Sequence, residues 1–456
     1  MKNAMPPQEN EFDDAEPLSA QDLAIAQLPS DGKRLVELPN EAVVIGNFES
    51  SRDKDLEQEH LDELVELVTS YGSEVKGSFL CPLKKLSPSH FLGKGKIEEI
   101  ATWIAQNNVK LAVFDSALTP SQQRNLEADL KVAVADRTEI ILGVFAKHAK
   151  TKEARLQIDL AQIQHHMPRL KRLWTHLSRQ RGGGVNQKGE GETQIEIDRR
   201  ILKKRLEFLK KQSEEVEQTR ETKLQSRERN QAVAFAIVGY TNAGKSTLMN
   251  ALTNANVLVE DKLFATLDTT TRKFKLPGGS EVLIVDTVGF IRKLPHLLVD
   301  AFRSTLNEAV QADFLVHLVD GSHPCVEAHI KATEEVLKEL GAQSHEKLIV
   351  FNKVDLMSSS QIMALKLQYQ GAVFVSASTG AGLEDLMSKM EGLVSTKRRI
   401  CTLKIPQEQF DIVNQIYRLG SVISIDYVDN DVLVKAQLRS EDFSRLASYQ
   451  LSDGCN

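Results

Sequence analysis

Cysteine is scarce in this chain of 456 residues, and the four cysteines lie far apart in the sequence. Cys81, Cys325, Cys401 and Cys455 form no C-x-x-C pair, so neither a zinc site nor a disulfide framework is indicated. We therefore expect reduced structural thiols, as in a cytosolic protein.

Long apolar runs and an excess of positive charge are also missing. No segment approaches the roughly 20 apolar residues that cross a bilayer, and the acidic N-terminus lacks the apolar core of a signal peptide. We expect a cytoplasmic protein without a membrane span, whose residues 1–38 form a disordered tail. The formal net charge is −6, so any basic surface that binds nucleic acid has to be local.

The composition that remains is that of a globular protein, and the length is typical of about three domains. Strand and helix patterns alternate before and after a long helical stretch, which predicts two α/β units with mostly parallel sheets. The predicted fold class is α/β. The expected regions are an N-terminal α/β domain (39–150), an antiparallel helical hairpin (151–230), a second α/β domain (231–396) and a small α+β domain (397–456).

Two heptad-like patterns predict the helical hairpin. Apolar residues spaced four and three apart mark one helix, and a seven-residue repeat marks the other: Leu156, Leu160, Ile163, Met167, Leu170, Trp174 and Leu177, then Ile195, Leu202, Leu209 and Val216. Pro168 falls inside the first pattern, so a kink or an interruption is expected there.

The tip of this hairpin is a glycine-rich, basic loop within the sequence "SRQRGGGVNQKGEGETQIEIDRR", and we place the loop at residues 179–192. Arg179, Arg181 and Lys188 suit contacts with nucleic-acid phosphates. The preceding run, from Arg169 onward, mixes cations with Trp174, a pattern that favours structured RNA. Trp174 lies on the apolar seam, however, and the loop could also be a solvated linker.

A nucleotide-binding motif opens the second α/β domain. Gly239, Gly244, Lys245 and Ser246 occur at G-x-x-x-x-G-K-S spacing between an apolar strand and a helix. In such a loop the backbone N–H groups surround phosphate oxygens, the lysine meets the β- and γ-phosphates, and the serine hydroxyl is a magnesium ligand. The motif predicts a nucleoside triphosphatase.

A second motif selects the base. The sequence N-K-V-D at Asn352–Asp355 follows an apolar strand, and the Asp355 carboxylate can accept hydrogen bonds from guanine N1–H and the 2-amino group together. Adenine lacks that amino group and is rejected. The later stretch Ser376, Ala377 and Ser378 is expected to support the base at O6.

The interval between these motifs is expected to surround the magnesium ion and the γ-phosphate. Asp286 ends a strand, and the Gly289 amide would donate to the γ-phosphate. Among the hydroxyls of "LFATLDTTTR" we predict Thr266 as the second magnesium hydroxyl, with Thr269 and Thr270 as alternatives. Phe290 follows Gly289 where many GTPases carry a glutamine that orients water, so slow intrinsic hydrolysis is expected.

These stretches, "GYTNAGKSTL", "LFATLD", "DTVGFI" and "NKVD" together with the glycine-rich loop ahead of them, resemble the HflX-type GTPases of the translation-factor class. The resemblance covers roughly residues 40–396. It implies an N-terminal HflX domain, the hairpin and a GTPase (G) domain. It also implies binding of GTP and GDP with Mg²⁺, association with the large ribosomal subunit and its rRNA and, in some members, splitting of stalled ribosomes.

The resemblance also implies site residues. Asn242 could help bind K⁺ beside the phosphates, although a turn-forming asparagine is an equal alternative. Some members use ATP through the N-terminal domain; here the stretch from Gly93 to Lys96 could hold phosphate or simply begin a helix. Thr269 stands where the family usually has proline. The residues expected at GTP are Gly239, Tyr240, Thr241, Asn242, Ala243, Gly244, Lys245, Ser246, Phe264, Ala265, Thr266, Leu267, Asp268, Asp286, Thr287, Val288, Gly289, Asn352, Lys353, Val354, Asp355, Ser376, Ala377 and Ser378.

The leading hypothesis is a monomeric, ribosome-associated GTPase that splits or rescues stalled ribosomes or aids ribosome biogenesis. The alternative is a regulatory GTPase switch that acts through a protein effector without binding RNA. The basic loop favours the ribosome-associated hypothesis, because a switch that binds only a protein effector gives the loop cations no role.

Overall fold

A computed structural model describes most of the chain between residues 38 and 451. The described residues are 38–50, 52, 54–83, 89–169, 199–216, 233–253, 264, 267, 269–292, 310–428, 430–439, 443 and 445–451. The predicted tail and the loop cations Arg179, Arg181 and Lys188 lie outside them. Among the described helices, none has the length and apolar character needed to cross a membrane.

The N-terminal domain is built on a four-stranded parallel sheet in the order β2-β1-β3-β4, which confirms the predicted parallel α/β unit. The strand β2 was not predicted, because it lies at the sheet edge and only one of its nine residues is buried. The elements of the N-terminal domain are β1 (Glu41–Phe48), α1 (Lys54–Tyr71), β2 (Glu74–Pro82), α2 (Lys94–Gln106), β3 (Leu111–Phe114), α3 (Pro120–Leu130), β4 (Ala133–Asp136) and α4 (Arg137–His148).

Local signals in the sequence set several helix ends in this domain. Thr119 and Gln122 form a capping box, and Pro120 occupies the first turn of α3, where no backbone N–H is required. Gly72 follows α1 with a φ of +100°, a conformation that stops a helix and favours glycine. The helix α2 begins at Lys94, and Lys96 pairs with Glu99 at 2.7 Å, which favours the simple helix start at Gly93–Lys96.

Two helices of the predicted hairpin lie in the described residues, α5 (Lys152–His166) and α6 (199–216), and the segment that joins them lies outside the described residues. Leu156, Ile163 and Leu209 form its buried core, against which Leu160, Met167, Leu202, Leu206 and Val216 pack. The first helix ends at the expected interruption, since Met167–Arg169 form a short 3-10 turn.

Arg169, the first cation of the run that favours RNA, faces the protein. Its guanidinium donates to the Leu118 carbonyl at 2.8 Å and to the Gln123 side chain at 3.0 Å, and it lies 3.3 Å from the buried Asp136 carboxylate. Leu170, Trp174, Leu177 and Ile195 lie outside the described residues.

The second α/β domain has a six-stranded sheet in the order β10-β9-β8-β5-β7-β6, in which only β6 is antiparallel to its neighbour. The mostly parallel sheet that the sequence predicted is therefore confirmed. Its elements are β5 (Val233–Val238), α7 (Lys245–Thr253), β6 (Thr270–Lys275), β7 (Glu281–Asp286), β8 (Phe314–Asp320), α8 (Val326–Glu339), β9 (Glu346–Asn352), α9 (Ser359–Gln368), β10 (Val373–Phe374) and α10 (Leu383–Lys397).

The C-terminal region is a separate three-stranded antiparallel sheet in the order β11-β13-β12 with one helix packed against it. Its elements are β11 (Arg398–Pro406), α11 (Phe410–Leu419), β12 (Gly420–Val428) and β13 (Asp431–Arg439). The strands β12 and β13 pair in antiparallel fashion, and Val428 pairs with Asp431 at one end of the ladder.

The N-terminal domain and the second α/β domain share a hydrophobic cluster that contains residues of both. Phe145 of α4 packs edge-on against Phe264, with 4.5 Å between ring centroids, and both rings are nearly inaccessible to solvent. This contact places the N-terminal domain beside the region where the sequence predicts that magnesium and the γ-phosphate bind.

A buried histidine in β8 of the second α/β domain predicts that the stability of the protein depends on pH. His317 of β8 is 1% exposed, and burial, with Lys347 and Lys245 adding to it, lowers its pKa to about 4. The folded state therefore binds fewer protons than the unfolded state below about pH 6.5. The contribution of neutral His317 to the free energy of unfolding is complete above about pH 6.5. It is lost as pH falls toward 4, by about 1.4 kcal/mol per pH unit.

We therefore expect the free energy of unfolding to depend less steeply on pH in His317→Gln than in the parent protein. Urea denaturation at several pH values between about 6 and 4.5 measures this slope. Since carboxylates titrate in both proteins, the difference in slope isolates His317. Identical slopes would contradict the lowered pKa.

Candidate nucleotide-binding site

The G-x-x-x-x-G-K-S loop lies between β5 and α7, as the motif requires. Gly239 has a φ of +153°, and a Cβ atom there would lie 2.1 Å from the Leu318 carbonyl oxygen, so only glycine fits. Gly244 has a φ of +90°, and its Cβ would lie 2.4 Å from the Asn352 side-chain nitrogen. The two glycines allow the loop to turn tightly against neighbouring strands.

Lys245 is buried under this loop. Its ammonium donates to the carbonyl oxygens of Gly239 at 3.1 Å and Tyr240 at 2.7 Å, and the residue is 7% exposed. Burial lowers the pKa of Lys245 to about 8, while the charge of Asp286 opposes this shift. The lysine is thus held by backbone groups at the motif position that is expected to meet phosphate.

Ser246, in the first turn of α7, meets Asp286 at the carboxyl end of β7. The Ser246 hydroxyl donates to the Asp286 carboxylate at 2.8 Å, and Asp286 is completely buried. Hydroxyl and carboxylate oxygens are the ligands that Mg²⁺ prefers, so this pair fits the expected ion. Thr266 lies outside the described residues together with Ala265 and Asp268, whereas Thr270 begins β6.

Asn352 connects three of the predicted motifs. Its side-chain nitrogen donates to the Ala243 carbonyl at 2.8 Å, and its side-chain oxygen accepts from the Ala377 amide at 2.9 Å. Because Asn352 is 2% exposed, these bonds are protected from water. The asparagine therefore fixes the base-reading stretch at 352–355 against the phosphate loop and against Ser376–Ser378.

An aspartate that sequence reasoning missed orients Lys353. Asp320 ends β8, and its carboxylate lies 2.7 Å from the Lys353 ammonium. Burial opposes ionisation of Asp320, but hydrogen bonds from Lys353 and Ser322 lower its pKa. The sequence feature that could have identified Asp320 is its position at the carboxyl end of a parallel strand. Asp355 itself is exposed, so its carboxylate is accessible to a base.

Phe290 is fully buried and forms a β-bridge with Tyr240. The Phe290 N–H donates to the Gly239 carbonyl at 3.0 Å, and its carbonyl accepts from the Thr241 N–H at 2.7 Å. Its ring therefore packs in the core and offers no group that could orient a water molecule.

Several residues expected at GTP have side chains that face the protein. Tyr240, Phe264, Leu267 and Val288 belong to the hydrophobic cluster shared with the N-terminal domain. The Thr287 hydroxyl donates to the Ile237 carbonyl at 2.7 Å. Only the backbones of these residues could meet a nucleotide while the side chains stay in place.

Asn242 has a φ of +59°, a left-handed conformation that asparagine tolerates better than most residues. This conformation agrees with the alternative in which Asn242 is a turn-forming residue. A role in binding K⁺ stays a prediction.

Three family models match consecutive parts of this chain. They are described as "GTP-binding GTPase N-terminal" for residues 58–146, "GTP-binding GTPase Middle Region" for residues 148–227 and "50S ribosome-binding GTPase" for residues 234–353. The GTPase HflX of Chlamydia pneumoniae is 42% identical over 425 residues, which are 91% of this chain and 90% of that protein. The chain belongs to the HflX family of GTPases.

Other curated relatives extend the similarity. GTPase HflX of Magnetococcus marinus is 47% identical over 78% of this chain and 83% of its own length, and that of Escherichia coli is 39% identical over 90% and 96%. This HflX-family protein is therefore a GTPase that binds GTP and hydrolyses it to GDP and phosphate. GTPases of this kind generally use Mg²⁺ with the nucleotide, which agrees with the chemistry of Ser246 and Asp286.

Proposed function

We propose that this HflX-family GTPase acts in the cytoplasm on the large ribosomal subunit, in splitting or rescuing stalled ribosomes or in ribosome biogenesis. The observation that carries the proposal is Phe290, which is 1% exposed and stands where a water-orienting glutamine is expected. Since the site lacks this group, efficient hydrolysis needs a contribution from outside. The description of the matching G-domain family, "50S ribosome-binding GTPase", supports the large subunit as its source.

The G-domain residues have distinct roles in this proposal. The amides of the loop at 239–246 and the Lys245 ammonium bind the phosphates, while Asp355 recognises guanine. Ser246 and Thr266 would ligate Mg²⁺, and Asp286 would support its coordination shell. When bound, Mg²⁺ supplies positive charge that neutralises the phosphate oxygens. Hydrogen bonds from Asn352 keep the base-binding and phosphate-binding residues in register.

The glycine-rich loop at 179–192 supplies the proposed contact with rRNA. Arg179, Arg181 and Lys188 would bind phosphates, and neighbouring glycines would let the backbone conform to the RNA surface. The hairpin core of Leu156, Ile163 and Leu209 supports this proposal, because it joins two helices whose connecting segment contains the loop.

GTP hydrolysis by the purified protein tests the proposal. We expect a rate of about 10⁻⁴ to 10⁻² s⁻¹ for the free protein, the range of GTPases that lack an activating partner, and a marked acceleration by purified large ribosomal subunits. Small subunits serve as the control. Cosedimentation with large subunits should be stronger with a non-hydrolysable GTP analogue than with GDP.

A fast rate that large subunits leave unchanged, without cosedimentation, would contradict the proposal and favour the protein-effector switch. Replacing potassium with sodium in the same assay tests Asn242. We expect slower hydrolysis in sodium if Asn242 helps bind potassium, and equal rates if it only forms the turn.

A further inference from the structure

A cavity of about 310 Å³ lies between α1 of the N-terminal domain and two elements of the G domain, the phosphate loop and α8. Sites for small molecules usually measure about 300 to 1,000 Å³, so this cavity can hold a small organic molecule and is far larger than one ion. Among the described residues, no group of three or more His, Cys, Asp or Glu side chains is arranged to hold a metal ion. The cavity therefore favours an organic ligand over a metal ion.

One wall of the cavity is an acidic stripe on α1. Four carboxylates at positions i, i+3, i+4 and i+7 share one face of the helix and line the cavity: Glu59, Asp62, Glu63 and Glu66. The Glu59 carboxylate accepts a hydrogen bond from the Cys325 thiol, and Asp62 accepts one from the Gln58 amide at 3.0 Å. Both donors are neutral, and neither Glu59 nor Asp62 has an ion-pair partner among the described residues. Their negative charges are therefore not compensated within the cavity wall.

Arg292 also lines the cavity, but its charge is used elsewhere. One of its terminal nitrogens lies 3.1 Å from both oxygens of the buried Asp115. Arg137 donates to Asp115 at 3.0 Å and to Glu63 at 2.6 Å. Two guanidinium groups thus balance two carboxylates, so Arg292 adds no net positive charge to the cavity.

Histidines of the cavity do not compensate the acidic stripe either. The ring of His329 on α8 stacks on that of Tyr240, with 3.8 Å between centroids and 8° between planes. Burial lowers the pKa of His329 to about 4, and the neighbouring His323 adds to this shift. Burial and then the charge of Arg292 also lower the pKa of His60 on α1. The imidazoles of His329 and His60 are therefore neutral at pH 7, and a neutral imidazole can accept a hydrogen bond.

Thr241 of the phosphate loop gives the cavity lining an unused polar group. The residue is 6% exposed, and its hydroxyl oxygen is buried without a hydrogen-bond partner among the described residues. Its methyl group, and not its hydroxyl, faces Gly289. A buried hydroxyl without a partner is unfavourable in a folded protein. This one is therefore suited to accept a hydrogen bond from a molecule in the cavity.

We propose that this cavity binds a small organic cation, an aliphatic amine or guanidine compound, between the two domains. The cationic group pairs with Glu59 and Asp62 and donates a hydrogen bond to Thr241. The carbon chain packs against the stacked rings of Tyr240 and His329. Ammonium and guanidinium groups are donors only, and they match a lining that offers carboxylate, hydroxyl and imidazole acceptors. This inference goes beyond the ribosomal function and does not depend on it.

Isothermal titration calorimetry of the full-length protein, saturated with GDP at fixed potassium and magnesium concentrations, tests this site. The probes are putrescine, a diamine, and agmatine, which carries an ammonium and a guanidinium group. We expect one molecule of either probe to bind per chain with a dissociation constant below about 1 mM. Butane-1,4-diol has the carbon chain of putrescine without its charges and should not bind. Absence of saturable binding of both cations, or equal binding of the diol, would overturn the proposal.

Two variants locate the cation in the cavity. Glu59→Gln removes one charge and keeps an acceptor for the Cys325 thiol, and Thr241→Val removes the hydroxyl with nearly unchanged shape. Each should weaken binding of the probes by about 10-fold or more, because each removes a hydrogen bond to a charged group. Glu98→Gln, at an exposed position on α2, makes the same change in net charge as Glu59→Gln and is the matched control, which should keep the parent affinity.

Unchanged affinity in both Glu59→Gln and Thr241→Val would show that the cation does not occupy this cavity. Equal weakening in Glu59→Gln and Glu98→Gln would reveal general attraction to an acidic protein and would contradict the proposal as well. The measurement uses no ribosomes, so its failure is distinguishable from failure of the proposed ribosomal function.

Discussion

In the Asp355→Asn variant, GTP is expected to bind about 10- to 100-fold more weakly than in the parent protein. The substitution removes two hydrogen bonds to a charged acceptor, and such bonds contribute about 1.5 to 3 kcal/mol. Asp355 is exposed at the end of the N-K-V-D stretch, so the loss should affect the base and leave the fold intact. Equilibrium titration with a fluorescent GTP analogue measures the change.

The same variant should gain affinity for xanthosine triphosphate. Xanthine carries a carbonyl oxygen where guanine has its 2-amino group, and the asparagine amide can donate to that oxygen. Asp385→Asn, at an exposed position on α10, is the matched control and should keep the parent preference. If Asp355→Asn binds GTP as the parent does, the assignment of Asp355 to guanine is wrong.

The parts of the site that the sequence predicted are those set by neighbouring residues. A glycine loop between a strand and a helix has few possible conformations, so the positions of Lys245 and Ser246 followed from the motif. The same holds for Asn352 and Asp286, which the structure places at the ends of β9 and β7.

The parts that the sequence did not predict depend on distant residues. Arg292 and Asp115 are 177 residues apart, and neither occurs in a motif that indicates their pairing. The Asp320–Lys353 pair joins the ends of two strands that become neighbours only in the folded sheet. The edge strand β2 was not predicted, because few of its side chains are buried and its apolar pattern is therefore weak. Such contacts require the topology before they can be inferred.

The predicted rRNA contact can be tested through its dependence on salt. Replacing Arg179, Arg181 and Lys188 together with alanine should remove up to about three phosphate contacts. Each contact contributes roughly 0.7 to 0.9 to the slope of log affinity against log salt concentration. We therefore expect binding to large subunits to become weaker and its salt slope to flatten by about 2 to 2.7. Cosedimentation at several salt concentrations measures both.

Two controls separate the loop from general charge and from the nucleotide site. Replacing the exposed Lys331, Lys338 and Lys389 with alanine makes the same change in net charge on the G domain, and the salt slope should then stay closer to that of the parent. GTP affinity should be equal in the parent and in the loop variant, since Arg179, Arg181 and Lys188 belong to a different region from the G-domain motifs.

The loop glycines test whether conformation matters as well as charge. Replacing Gly182, Gly183 and Gly184 with alanine keeps all three cations but restricts the backbone, because alanine disfavours positive φ angles. This variant should still bind large subunits electrostatically, yet it should lose their acceleration of GTP hydrolysis. If both loop variants bind subunits and respond to them as the parent does, the loop is only a linker. Hydrolysis controlled by a protein effector would then explain the G domain better than contact with rRNA.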